Sequence, residues 1–176
     1  MRIFIFSFLI LLTFNSFAQR KIPIKGDYLT SPYSITTEKN FDETWNTIID
    51  VFMKEGYSIK IIDKTSGLIM SERIVLKYTT EKRKKAELTN PLAVIVVPQY
   101  YEPGPDRYSP LTKNSDITGE WNIRVKTIEG KTVISINVVN LKYQFHDTYY
   151  HTYREETLSE FKSTGVFEGK IEQAVK

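Results

Sequence analysis

The stretch Phe41–Glu72, FDETWNTIIDVFMKEGYSIKIIDKTSGLIMSE, decides the fold. Phe41, Trp45, Ile48, Ile49 and Phe52 fall at offsets 0, 4, 7, 8 and 11, which is one face of a 3.6-residue repeat, with Met53 at its edge. Asp42, Asn46, Asp50 and Lys54 occupy the other side. Asn40 can accept hydrogen bonds from the first turn, where Asp42 and Glu43 suit the positive end of the helix dipole. Gly56 follows, where a left-handed stop needs no Cβ. A helix ending before Gly56 is therefore expected, and its apolar stripe must lie on something. The next residues supply it. Tyr57, Ile59 and Ile61 alternate with Ser58 and Lys60, so one strand has an apolar face. Asp63, Ser66 and Gly67 have turn chemistry, and Leu68–Tyr78 reads as a longer returning strand.

The same reading extends in both directions. Tyr33–Thr37 is short and β-favouring, a first strand. Trp121, Ile123 and Val125 alternate with Asn122, Arg124 and Lys126; Ile134, Ile136 and Val138 alternate with Ser135 and Asn137. These two runs flank Glu129–Gly130, a two-residue hairpin candidate. From Thr152 the chain reads as helix: Thr152 and Glu155 have capping-box spacing, with Leu158 and Phe161 inside. Gly165 interrupts, and Phe167, Ile171, Ala174 and Val175 form a last stripe. Between the hairpins lies an insertion, residues 79–118. It holds the cationic run Lys82–Lys85, an apolar strand candidate Leu92–Val97, and the proline-rich PQYYEPGPDRYSP. The expected architecture is α+β: an antiparallel sheet with helices packed on one face, in the order β-α-β-β-(insertion)-β-β-α. Trp45 and Ile48 are expected to lie against Ile59 and Ile136.

The N-terminus reads as an address. Arg2 is a positive start, Ile3–Phe14 is apolar, and Ser16 and Ala18 are small residues at −3 and −1 of a cleavage site after Ala18. A membrane span needs ~18 or more apolar residues for a ~30 Å hydrocarbon core, and this run is shorter. Residues 1–18 thus read as a cleaved signal peptide, 19–32 as a leading loop broken by Pro23, Gly26 and Pro32, and 33–176 as one domain. Export to a periplasmic or secreted location follows, without a transmembrane anchor. The chain has 0 Cys, so no disulfide framework is available. The formal charge of +3 gives no general pull toward nucleic acid. Eleven Tyr beside 10 Phe and 2 Trp suit a half-buried sheet or a recognition surface.

The segment Phe41–Glu72, with turn positions Asp63 and Gly67, resembles the repeated helix-plus-hairpin unit of a bacterial envelope family, the lipoprotein C subunit of the outer-membrane barrel-assembly machinery. The tail STGVFEGKIEQAV (Ser163–Val175) resembles that of short exported proteins of unassigned role. The first resemblance implies an α+β envelope domain used for protein contact. The chain departs from that family in lacking a cysteine to acylate, and the resemblance assigns no functional residue.

His146, Asp147 and His151 offer three metal-ligand types, but a spacing of five places the two histidines on different sides of a helix and on opposite faces of a strand. The reading is no metal and no cofactor. Glu155 and Glu156 are adjacent, unlike a glycosidase pair set ~5–9 Å apart across a substrate, and read as first-turn charges of a helix. Serines lack a nucleophile-elbow setting, and no glycine-rich phosphate loop is present. Lys82–Lys85 could meet acidic lipid or an acidic partner, or form a solvated face. Gly165 and Gly169 are four apart in a polar setting that suits a turn and close packing. The strongest binding candidate is Tyr100, Tyr101, Arg107 and Tyr108 on a proline-stiffened loop, since rigid aromatics give contact area at low entropic cost and Arg adds forked hydrogen bonds. The expectation is a non-catalytic protein-interaction module of the cell envelope with an envelope protein as partner. Alternatives are a small-ligand or sugar-binding protein using the same loop, 99–110, and a hydrolase with dispersed carboxylates.

Overall fold

The computed structural model describes residues 20–81, 87–101, 108–109, 116–147 and 152–176. Its first helix, α1 (Phe41–Lys54), is built as its sequence demands. Asn40 caps it by accepting from the Glu43 amide at 2.9 Å, and Asp42 and Glu43 occupy the first turn. Trp45, Ile48, Val51 and Phe52 are buried, with Phe41 stacked on Trp45 at 5.7 Å. Gly56, at φ 74°, closes the end while Tyr57 donates back to the Phe52 carbonyl at 2.9 Å.

The hairpin that follows pairs β3 (Ile59–Asp63) with β4 (Leu68–Ser71). Its turn uses the Asp63 carboxylate, which accepts from Thr65 N at 3.0 Å, and Gly67 at φ 70°. Gly67 is also pressed against the neighbouring strand: a Cβ there would lie 2.0 Å from the Val125 carbonyl oxygen. The main sheet centres on β10 (Asp116–Ile128) and β11 (Lys131–Asp147), joined by Glu129–Gly130, both at positive φ. β4 lies on the free side of β10, and β2 (Tyr33–Thr37) pairs with the first part of β11. All these pairings are antiparallel, so the fold is α+β with a mostly antiparallel sheet.

α1 and α2 (Val166–Val175) contact one another and lie on one face of this sheet. α2 is fixed to β2 by Thr37, whose hydroxyl donates to the Val175 carbonyl at 2.7 Å. Phe167 stacks on Trp121 at 4.1 Å and meets Phe52 edge-on at 5.8 Å. Trp45, Ile48, Ile123, Ile134 and Ile136 join the same core, with Ile59 packed at its margin. Each such side chain contributes ~1.5–3 kcal/mol of transfer free energy.

Four expectations are corrected. Leu68–Tyr78 is three strands instead of one: β4, β5 (Ile74–Val75) and β6 (Tyr78–Thr79). The Ser71 hydroxyl takes the Trp121 amide at 2.8 Å, which interrupts the main-chain ladder; the chain rejoins β10 at Ile74 and then leaves the sheet. Leu92–Val97 holds regular strand only at β7 (Ile95–Val96), although Ala93–Val97 is buried throughout. β7 pairs in parallel with β6 and antiparallel with β13 (Lys162–Ser163). The helix expected from Thr152 is a strand, β12 (Thr152–Thr157), on the far half of β11. β-favouring Thr152, Tyr153 and Thr157 face a long unpaired partner, and that pairing outweighs a capping-box spacing. Finally, the leading loop is docked: β1 (Arg20–Ile22) pairs with β8 (Gln99–Tyr101), and Leu29 bridges to Ser163.

Candidate functional site: the tyrosine strand and its strap

Three of the four candidate binding residues come together. β8 pairs antiparallel with β9 (Tyr108–Ser109), which sets Tyr101 directly opposite Tyr108 and Tyr100 opposite Ser109. Arg107 lies outside the described residues. With β1 on the other edge of β8, these strands form a three-stranded sheet of their own, in the order β1-β8-β9.

What ties this small sheet down is a residue the sequence reading passed over, Glu81. Its carboxylate accepts from Lys25 N at 2.8 Å, Gly26 N at 2.6 Å and the Tyr28 hydroxyl at 2.9 Å. Burial alone would push the Glu81 carboxyl up, but those hydrogen bonds and the charge of Lys162 together hold it below the usual carboxylate range. The Tyr28 hydroxyl is pushed up to about 12, by burial first and then by its bond to the Glu81 carboxylate. The main chain of Glu81 is committed as well: its carbonyl accepts from Gln99 Nε2 at 3.0 Å, and Gln99 also donates to Thr80 Oγ1 at 3.2 Å. Thr79, Thr80 and Thr89 interlock beside it, with Thr79 and Thr89 hydroxyls 2.7 Å apart. The insertion is thus held by polar bonds where it meets the leading segment. In sequence, Glu81 looks like the first residue of a charged run, and its partners stand more than fifty positions away, so no local spacing could reveal it.

The other candidates fare differently. His146 lies on β11 opposite Tyr153, and Asp147 opposite Thr152; His151 falls outside the described residues, as does the run 82–85. Among the described residues no group of three or more His, Cys, Asp or Glu is placed to hold a metal ion. Glu155 and Glu156 are not in a helix's first turn; they alternate along β12 and have separate partners. Glu155 binds Lys142 at 2.5 Å and Arg73 at 3.1 Å, and the hydrogen bond from Lys142 is foremost in holding its carboxyl below the usual range. Glu156 accepts from the Tyr143 hydroxyl. Gly165 does make a turn, at φ 83°, as the cap of α2. Gly169 does not serve close packing, since a Cβ there would meet nothing within 4 Å. No protein-family model matches the chain, and no curated protein matches it.

Proposed function

We propose that the chain is an exported, non-catalytic protein-interaction module of the bacterial cell envelope, contacting an envelope protein through the β8–β9 strands. The observation that carries this reading is the register of the small sheet, which sets Tyr101 directly across from Tyr108. Residues directly opposite share a face, so this register pairs Tyr101 with Tyr108, a residue type enriched at the centre of interfaces. Arg107, next in sequence to Tyr108, adds a forked donor for a partner's carboxylate or carbonyl groups. The resemblance of the sequence Phe41–Glu72 to the unit of an envelope family supports the reading, and the N-terminal leader pattern supports export. Among the described residues no helix is long and apolar enough to cross a membrane.

The test is crosslinking capture from intact envelopes with the wild-type chain, Tyr101→Ala and Arg107→Ala, with circular dichroism to verify folding. A partner recovered with the wild type and reduced at least tenfold with either variant is the expected result. Equal recovery from all three rejects this surface. A mature N-terminus at Gln19 in the periplasmic or secreted fraction is expected alongside; an uncleaved chain in the cytosol rejects export.

A further inference from the structure

The leading segment adds a strand to β8 although little in that strand can hold it there. β1 is 3 residues long, pairing Arg20, Lys21 and Ile22 with Tyr101, Tyr100 and Gln99. So short a pairing does not persist unaided. From Pro23 to Pro32 each residue is exposed or half-buried, so this connection adds nothing to the buried core. The hold is polar and local. Two consecutive amides, Lys25 and Gly26, and one hydroxyl, Tyr28, converge on the single carboxylate of Glu81. The same residue, through its carbonyl and Gln99, is joined to the first position of β8. At the far end Leu29 N donates to the Ser163 carbonyl at 3.2 Å, which gives the segment a fixed root.

We propose that Glu81 is a latch that holds residues 20–28 as a strap on the edge of β8, and that the edge beneath is a strand-addition site taking an extended peptide of the same kind once the latch opens. The occupant is defined by what the strap itself supplies: a β-extended stretch to pair with Gln99–Tyr101, followed by two consecutive main-chain N–H groups and a hydroxyl for the carboxylate. Strand exchange leaves the number of hydrogen bonds unchanged, so a competing segment must outdo the tethered strap's effective concentration through its side-chain contacts, and an open latch lowers that threshold. The tyrosines of β8 lie on the strand where such contacts would form. This deepens the interaction reading and rests on it for its biological use, but the latch is testable with no envelope partner present.

The probe is a labelled synthetic peptide, RKIPIKGDYL, copying Arg20–Leu29. In the full chain, Gly26→Pro with Tyr28→Phe removes two of the three donors of the strap and leaves Glu81 and β8 untouched. Hydrogen bonds to a charged acceptor are strong, so the open fraction rises, and the peptide is expected to bind this variant at least tenfold more tightly than the wild type. Adding Glu81→Ala to that variant is expected to abolish the gain. Amide hydrogen exchange gives a second readout that needs no peptide. Glu81→Ala alone is expected to speed exchange at Lys25 and Gly26 at least tenfold while amides of α1 keep their protection. Equal peptide binding by the wild type and the strap variant overturns the proposal, and so does unchanged exchange at Lys25 and Gly26. If both latch readouts hold while Tyr101→Ala leaves envelope crosslinking intact, the latch stands and the interaction reading falls.

Discussion

Glu168 is the residue whose chemistry conflicts most with its place. It is the third residue of α2 and only 2% exposed. Burial raises its carboxyl above the usual range, against the opposing pull of the Ser163 hydroxyl and its own amide. One carboxyl oxygen, Oε2, has no hydrogen-bond partner among the described residues. A carboxyl whose folded pKa exceeds its unfolded one binds its proton more tightly in the native state. Its contribution to stability is therefore fully present below the unfolded value and is lost as pH rises through the folded one. Glu168→Gln removes that titration while keeping shape and one acceptor. Urea unfolding between about pH 4 and about pH 8 should show the Gln variant gaining on the wild type as pH rises. A wild-type-minus-variant difference that stays flat across this range would mean the carboxyl is not held up in the fold.

Turns and caps are legible in sequence where one residue type has one physical use. Asn40, Gly56, Gly67 and Glu129–Gly130 all act as their chemistry required. The strand at Thr152–Thr157 is not legible in sequence because a capping-box spacing is local, whereas the open ladder of β11 that captures it is not visible along the chain. Gly67 and Gly130 share a left-handed backbone but not an environment, and this separates two costs usually seen together. At Gly130 an added Cβ meets nothing within 4 Å, so Gly130→Ala carries only the left-handed penalty of ~1–2 kcal/mol. At Gly67 the same atom would sit 2.0 Å from the Val125 carbonyl, and the Gly67 carbonyl accepts from Val125 N at 2.8 Å. Relieving that clash must break the seam between the β3–β4 hairpin and β10. Gly67→Ala is accordingly expected to cost ~2 kcal/mol or more beyond Gly130→Ala in chemical denaturation. Equal costs would show that the seam is soft.

The whole molecule has a helical layer narrower than its sheet. The layering itself was legible from the Phe41–Glu72 period switch, because an amphipathic helix followed by an alternating hairpin admits few solutions. Where the layer ends was not legible: Ile59, Ile61 and Ile62 look alike in sequence, but a register shift between Ile59 and Ile61 reassigns their faces. Ile62 ends up opposite Ile69, and residues directly opposite share a face, so both lie on the side the helices occupy. Ile69 is 0% exposed there and Ile62 is 56% exposed. α1 shows the same boundary from above. Asp42, expected on the polar side, lies seven and eleven positions from Ile49 and Met53 and so shares their flank at the edge of the apolar stripe. Its ion pair with Lys64 at 3.0 Å turns that flank toward the β3–β4 turn. Met53 on this flank is 71% exposed. The helical layer therefore stops between β4 and β3, and two isoleucines facing each other across one rung should differ sharply in energy. Ile69→Ala leaves a cavity inside the core and is expected to cost ~2–5 kcal/mol. Ile62→Ala removes surface already in water and should stay within ~0.5 kcal/mol. Urea denaturation of both variants decides the matter: a cost at Ile62 comparable to that at Ile69 would mean that β3 is covered in solution, by another part of the chain or by a second copy.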